Sequence, residues 1–251
     1  MSDAPNFRRL RPRTLIRDQV FNRLANDIVS GRLQPLEEIR DADLQAEYGV
    51  SRTPIREAMI RLADLDLIEL SSNRFTRVAP IDLQLQLQRT EAAHALIGHS
   101  ALQLAPRITD EELAELSRLL NVIRAFDTGD FAKHEGLVLW YDFYEAIVRM
   151  AGNSVIYTLL REQLGLHLLR SVLKARMPDD MIAYLERYVD EIESTFARRD
   201  GHAARDLIIN AFTVTVTAPM LRAIELHAAE QKHAWSAHVA HPNGDVGDQG
   251  S

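Results

Sequence analysis

The segment from residue 81 to residue 228 most constrains the fold, because it shows helical periodicity throughout and no strand pattern. Apolar residues recur there every three to four positions, which is the spacing of a helix with one buried face. Thr109 followed by Glu112 predicts a capping box, and AGNS, Pro178 and Gly201 mark further breaks. The predicted helical stretches are 82–105, 110–127, 130–150, 154–175, 179–198 and 201–228. This segment is therefore predicted to form a six-helix, all-α bundle.

The first eighty residues show a different order of elements. A first amphipathic helix carries Ile16, Val20, Leu24 and Ile28 on one face and ends at Gly31, the position of a left-handed cap. A short second helix is predicted over Asp41–Tyr48, and Gly49 makes the turn into a third helix over about 51–66. The buried stripe of this third helix is predicted to be Ile55, Met59, Leu62 and Leu65.

After the third helix, the stretch LIELSSNRFTRVAP alternates apolar and polar residues on both sides of positions 71–74. Such alternation around a polar turn predicts a β-hairpin. Three helices with a tight turn before the third, followed by a hairpin, is the order of a winged helix-turn-helix, predicted here over residues 13–80. The fold class is thus mostly α, with this N-terminal unit and the C-terminal bundle.

The beginning of the third helix, SRTPIREA, has a polar and cationic first turn. Arg52 and Arg56 are four residues apart and share a face opposite the apolar stripe. An arginine side chain can donate two hydrogen bonds to guanine in the major groove. Ser51, expected to cap the helix, and Thr53 are suited to phosphate oxygens. Taken by itself, the pattern also fits a capped surface helix with solvated arginines; the order of the surrounding elements favours a DNA-reading helix.

Asn73 and Arg74 lie at the predicted tip of the hairpin, within reach of the minor groove or its flanking phosphates. The charge distribution supports a small nucleic-acid-binding unit. Residues 1–80 hold 13 arginines and no lysine against 12 acidic residues, whereas the whole chain carries a net charge of −7. Residues 1–12 are predicted to be a flexible basic arm. The acidic remainder argues against a protein that coats nucleic acid along its whole length.

Several classes of protein are disfavoured by composition. The absence of cysteine excludes disulfides and thiolate metal sites, and it fits a cytoplasmic location. No run of 18 apolar residues is present, which predicts that no segment spans a membrane. The sequence offers no nucleophile–base pattern and no phosphate-binding glycine loop, so an enzyme is not expected. Residues 229–251 lose periodicity and are predicted to be a disordered tail.

The stretch IVSGRLQPLEEIRDADLQAEYGVSRTPIREAMIRLADLDLIEL resembles the DNA-binding domain of GntR-family bacterial regulators. The helical remainder, with its ITDEEL and MAGNSV segments, resembles the FCD effector domain of the FadR-type branch, here assigned to residues 81–228. The resemblance implies that Arg52 and Arg56 read bases, with Ser51 and Thr53 beside them on the backbone. The family usually has glycine at the positions of Leu36 and Asp66, and near Phe75.

Many proteins of this branch hold a divalent metal with one Asp and three His ligands. The resemblance places these positions at Trp140, Tyr144, Tyr188 and Ala211, which are poor ligands for such ions. No metal and no other cofactor is therefore expected. The histidines of the bundle lack ligand spacing, and each is interpreted as a surface or hydrogen-bonded core residue. They are His94, His99, His134, His167 and His202.

The aromatic residues at those positions have two interpretations. They either fill the core, or Trp140, Tyr144 and Tyr188 line a pocket for an apolar or aromatic effector with one or two polar groups. The sequence as a whole predicts a homodimeric, sequence-specific regulator, most simply a repressor, that binds a palindromic DNA operator and senses a small molecule. An effector-independent DNA-binding protein and, more remotely, a helical enzyme are the alternatives.

Overall fold

The computed structural model describes residues 15–71, 75–126, 134–170 and 179–225. The chain divides into two compact units between Ile81 and Asp82. The predictions of a basic arm over 1–12 and of a disordered tail over 229–251 lie outside the described residues.

The N-terminal unit contains three helices and a hairpin, as predicted. The elements are α1 (Ile16–Val29), α2 (Asp41–Tyr48), α3 (Arg52–Asp64), β1 (Ile68–Ser71) and β2 (Phe75–Val78). The two strands are antiparallel, with Ile68 opposite Val78 and Ser71 opposite Phe75. The prediction of a winged helix-turn-helix is confirmed.

The core of this unit lies where the three helices meet. Leu24, Ile55 and Leu62 are completely buried there. Two details of the predicted stripes are wrong. Ile16 is 57% exposed because it lies in the first turn of α1, ahead of the buried face. Leu65 lies past the end of α3 and is half-buried, and Ala58 occupies the buried stripe within the helix instead.

An ion pair, a hydrogen bond and a cation–π contact hold α1 against its two neighbours. Arg61 of α3 contacts Asp18 of α1 at 2.8 Å. On the α2 side, the Tyr48 hydroxyl donates to Asp27 at 2.9 Å, and the Arg23 guanidinium lies 4.3 Å from the centre of the Tyr48 ring. Burial and the Asp27 carboxylate raise the pKa of Tyr48. Together with the apolar core, these contacts fix the orientation in which α3 presents its outer face.

Four described backbone positions in this unit adopt the left-handed conformation, and one of them is Gly31, the predicted cap of α1, with φ of 75°. Gly49 ends α2 with φ of +66°, and its N–H donates to the Gln45 carbonyl at 3.0 Å. Leu36 and Asp66 have φ of 70° and 54°. At Leu36 and Asp66 the chain thus keeps a left-handed backbone, although the family that it resembles usually has glycine there.

The C-terminal unit is helical over all of its described residues except the connections. Its helices are α4 (Leu83–Leu104), α5 (Asp110–Ala125), α6 (His134–Ala151), α7 (Ser154–Thr158), α8 (Gly165–Arg170), α9 (Asp179–Ala197) and α10 (Gly201–Phe212). The capping box of Thr109 and Glu112 is present at the start of α5. Each of the six predicted stretches is helical over its described residues to within one residue at either end, with two local changes, whereas positions 127, 130–133, 171–175 and 226–228 of those stretches lie outside the described residues. A π-helical segment, Leu159–Leu164, joins α7 to α8, and a second, Thr213–Thr217, extends α10.

Helix α10 packs closely against α4 along the middle of the bundle. A Cβ atom on Gly201 would lie 2.5 Å from the Leu102 carbonyl oxygen, so only glycine allows this approach. The helix that begins at Gly201 continues to Glu225 and is long and apolar enough to cross a membrane by length and composition alone. Of its apolar 18-residue window 22% is buried, and Ala204, Ile208 and Phe212 belong to the bundle core.

Candidate functional site

The first turn of α3 is an exposed polar surface. Ser51, Arg52, Thr53 and Arg56 are all exposed, whereas the opposite face of the helix is buried in the core of the unit. The structure therefore brings together four of the six residues predicted to contact DNA. The other two, Asn73 and Arg74 at the tip of the hairpin, lie outside the described residues.

The two arginines of this surface differ in their local partners. Arg52 Nε donates to the Asp41 carboxylate of α2 at 2.9 Å, and the Arg52 side chain is 64% exposed. Across residues 15–71 and 75–81, no hydrogen bond or ion pair joins Arg56 to another side chain. Arg52 is thus partly oriented by its neighbour helix, and Arg56 is free to take a partner from solution.

Ser51 departs from its predicted role. It occupies the N-cap position with extended backbone, but its side chain makes no capping hydrogen bond. The hydroxyl is therefore not used by the helix. The first turn of α3 also contains no acidic residue, so the positive end of the helix dipole is not neutralised locally. Free amides, a free hydroxyl and two guanidinium groups together form a surface suited to phosphate oxygens and base edges.

The aromatic residues predicted to line an effector pocket meet inside the bundle. Trp140 and Tyr144 of α6 lie 5.9 Å apart by ring centres, and Trp140 lies 5.6 Å from Tyr188 of α9. The Tyr144 hydroxyl donates to the Tyr188 oxygen at 3.3 Å. All three residues are at least nine-tenths buried, and burial raises the pKa of both tyrosines. Both hydroxyls are neutral at pH 7.

The metal-binding positions implied by the resemblance carry the same aromatic group. Trp140, Tyr144 and Tyr188 offer an indole and two neutral phenols, and Ala211 offers no donor atom. Within the part of the chain that the structure describes, no group of three or more His, Asp or Glu side chains could hold a metal ion. These residues do not fit a divalent cation.

The histidines of the bundle differ in their surroundings. His99 and His202 are exposed, and the side chain of His134 lies outside the described residues. His167 is buried, and its Nδ1 lies 3.3 Å from Arg89 Nη1, in keeping with a hydrogen-bonded core residue.

His94 departs from the prediction. It is only 6% exposed, and its Nε2 atom has no hydrogen-bond partner among the described residues. The prediction of a surface or hydrogen-bonded histidine is wrong here, because α4 places the ring against Phe212 rather than against a polar group. Burial lowers the pKa of His94 to about 3.

Sequence reasoning also missed Thr90, which lies one turn before His94 on α4 and is completely buried without a hydrogen-bond partner for its Oγ1 in the described structure. A signal was present, since a Thr and a His four residues apart interrupt the apolar face of a core helix. The contact between His94 and Phe212, which are 118 positions apart, could not be read from spacing.

Each of the two units matches a known protein family. Residues 16–78 match the model described as bacterial regulatory proteins, gntR family, and residues 82–213 match the FCD domain. The Nta operon transcriptional regulator of Aminobacter aminovorans is 31% identical over 136 residues, which cover 53% of this chain and 62% of that protein. The transcriptional repressor RspR of Escherichia coli is 27% identical over 112 residues, covering 45% and 49%.

The alignments thus span less than two thirds of the length of these two relatives. Among solved structures, Escherichia coli McbR/YncC superposes with a TM-score of 0.67 at 20% identity, covering 86% of this chain and 99% of that one. At that identity the similarity establishes the fold.

Proposed function

Because the chain belongs to the GntR family of bacterial regulatory proteins and carries an FCD domain, we propose that it is a sequence-specific DNA-binding repressor controlled by a small molecule. The observation that carries the proposal is the exposed first turn of α3. Its four polar side chains lie on one surface, and Arg56 has no partner among the neighbouring described residues. In a winged helix-turn-helix, this end of the third helix enters the major groove.

Arg52 and Arg56 are the proposed base-reading residues, and Ser51 and Thr53 the proposed phosphate contacts. The ion pair with Asp41 limits the rotamers of Arg52, which lowers the entropy lost when the guanidinium meets a guanine. The unused hydroxyl of Ser51 is available to a phosphate oxygen. Asn73 and Arg74 are proposed to contact the minor groove or the phosphates beside it.

A single recognition helix contacts too few base pairs to select one site in a genome. We therefore propose a homodimer that binds a palindromic operator, with the bundle supplying most of the contact between the protomers. Half-sites one helical turn of DNA apart, or a multiple of it, would match the twofold symmetry. Residues 13–80 are the proposed DNA-binding domain and residues 81–228 the proposed effector and dimerisation domain.

The proposed effector site lies in the bundle, at Trp140, Tyr144 and Tyr188. Buried aromatic rings with a small number of polar atoms are typical of sites for small organic molecules. Binding there would change the affinity for the operator, and repression is the direct result when a dimer occupies DNA that a polymerase needs. The absence of cysteine supports a cytoplasmic location. An effector-independent DNA-binding protein is the second candidate, favoured by the close contacts among the rings.

The test begins with selection of preferred duplexes from a random DNA library by the wild-type protein, followed by binding measurements on the selected operator. Arg56→Ala is expected to weaken operator binding by about 1–3 kcal/mol and to relax preference at one base pair. Arg52→Ala is expected to behave similarly. Arg56→Lys should retain most non-specific binding but lose the base preference, because an ammonium group cannot donate the paired hydrogen bonds.

Arg118→Ala is the matched control, since it removes one exposed positive charge from the bundle. It should leave both affinity and base preference unchanged. Selection of no preferred sequence, or wild-type affinity and base preference in both alanine variants, would refute the assignment of α3. Sedimentation of the complex checks the stoichiometry: one dimer per palindrome is expected, and a monomer on a single half-site would refute the dimer.

A further inference from the structure

Helix α4 carries two buried polar atoms that have no partner among the described residues. Thr90 Oγ1 and His94 Nε2 are buried with no hydrogen bond to any described residue. Four residues separate them on α4, so they lie one helical turn apart on the same face. Buried polar atoms in proteins nearly always have a partner, so each exception calls for an explanation.

The Phe212 ring stacks on the His94 ring and connects it with the aromatic residues of α6. Its centre lies 3.5 Å from the centre of the His94 ring, with the planes 23° apart. Phe212 also contacts Tyr144, and the centres of these two rings lie 4.7 Å apart. Phe212 therefore occupies a position in which a flat ring is contacted by two other rings, one of them the imidazole whose Nε2 lacks a partner.

The backbone around Phe212 is irregular. The π-helical segment Thr213–Thr217 follows it directly, and a second one, Leu159–Leu164, lies elsewhere in the bundle. Both segments pack against α4, the helix that carries Thr90 and His94. Single turns of π-helix occur frequently at functional sites, where the extra residue changes the direction of side chains. A return to regular α-helical hydrogen bonding in Thr213–Thr217 would rotate the residues that follow this segment relative to α10.

We propose that the effector is a small, uncharged aromatic molecule with one hydroxyl group, which takes the place of the Phe212 ring and bonds to Thr90 and His94. This inference rests on the proposed role of the bundle as an effector domain. The ring of the ligand would stack between His94 and Tyr144, and its hydroxyl would lie between Thr90 Oγ1 and His94 Nε2. Displacement of Phe212 would pass the signal into the helix that extends to Glu225.

The chemistry of the site favours a hydroxyl over a charged group. His94 is neutral at pH 7, because burial lowers its pKa to about 3. A hydroxyl both donates and accepts, so it can satisfy the threonine and the neutral imidazole in either tautomer. A carboxylate can only accept, and it would lose its hydration on entering a site walled by neutral rings. A purely apolar ring would leave both polar atoms without partners.

Three probes of similar size separate these cases by calorimetric titration of the full chain: phenol, toluene and benzoate. Phenol is expected to bind at least tenfold more tightly than toluene or benzoate. Thr90→Val removes the hydroxyl and His94→Phe removes the imidazole nitrogens, both with side chains of similar shape, and each should weaken phenol binding about tenfold. Ser100→Ala is the control on the same helix, because the Ser100 hydroxyl already donates to the Leu96 carbonyl at 2.8 Å. It should bind phenol as the wild type does.

Both test variants should fold, since they replace unsatisfied buried polar groups with apolar ones, and their melting temperatures should equal or exceed that of the wild type. The proposal is overturned if phenol does not bind, if toluene or benzoate binds as tightly, or if the two variants retain wild-type affinity for phenol. Operator binding without any probe is measured on the same variants. If the protein binds the operator but does not bind phenol, only this ligand class is refuted. If the wild-type protein does not bind the operator, the proposed regulator itself is refuted.

Discussion

The two units place their polar chemistry in opposite environments. On α3 the functional candidates are exposed, and the Arg52 guanidinium is held by a carboxylate while remaining 64% exposed. In the bundle, the polar groups proposed to bond to the effector are Thr90 and His94, both more than nine-tenths buried, with polar atoms that lack partners among the described residues.

This difference follows from the size of what each surface would bind. DNA cannot enter a protein core, so the groups that read it stay in solvent, where an ion pair such as Arg52–Asp41 contributes only about 0–1 kcal/mol. A small molecule can be enclosed, and an unsatisfied buried polar atom costs about 1–3 kcal/mol until a ligand satisfies it. The first unit therefore gives up little stability for function, whereas the second gives up more.

The bundle depends on close packing that the N-terminal unit does not share, and Gly201→Ala tests this most strongly. The new methyl group would lie 2.5 Å from the Leu102 carbonyl and 3.1 Å from Pro106, so backbone must move. We expect a loss of about 2–3 kcal/mol in the free energy of unfolding of the bundle, measured by urea denaturation.

Gly98→Ala is the matched control at the same helix pair, because its methyl group would meet only the side chains of Ile209 and Arg205. It should cost less than half as much. Equal costs for the two variants would show that α4 and α10 adjust to one another more easily than the structure implies.

Because His94 is buried, we expect the bundle to lose stability in mild acid. The pKa of His94 is about 3 in the folded protein and about 6.5 when unfolded, so the unfolded state binds a proton first as pH falls. The stability that the neutral, buried His94 contributes is complete above pH 6.5 and declines from there towards pH 3. Between pH 6.5 and 5 the loss in the free energy of unfolding is about 2 kcal/mol. His94→Phe should remove this part of the pH dependence; an unchanged dependence in that variant would mean that His94 is not buried.

In the N-terminal unit, a glycine is required by its backbone conformation rather than by close packing. Gly49→Ala places a methyl group where nothing lies within 4 Å, so its whole cost comes from φ of +66°. We expect a loss of about 1 kcal/mol. Hydrogen exchange of the α1–α3 amides should report the change, while amides of the bundle stay protected. Faster exchange in the bundle would show that the two units do not unfold separately.

The smallest expected effect is a gain in stability, from the substitution Leu36→Gly. Leu36 is 54% exposed and has φ of 70°, so glycine would relieve the strain and lose little buried area. Greater freedom of glycine in the unfolded chain offsets part of that relief, which leaves about 0.5 kcal/mol of added stability for Leu36→Gly. Leu36→Ala serves as control, because it shortens the side chain but keeps the strained backbone. A destabilised Leu36→Gly protein would indicate that the leucine side chain contributes to the fold.

Local patterns were sufficient for much of this protein. The position of α3 followed from Gly49, Pro54 and the apolar stripe beginning at Ile55, all within a few turns of chain. The hairpin and the capping box at Thr109 followed in the same way. These features depend on interactions between residues less than about ten positions apart, so the sequence contains all of their determinants.

The sequence by itself thus determined the helices, the hairpin, the turn before α3 and the exposure of Arg52 and Arg56. Only the tertiary structure decided that Ser51 leaves its hydroxyl unused, and that Phe212 lies on His94. Helical periodicity states which side of α4 faces inward, but not which ring from a distant helix meets it. That choice depends on how side-chain volumes fill the space between helices, and packing of this kind is a property of the assembled core rather than of any one segment.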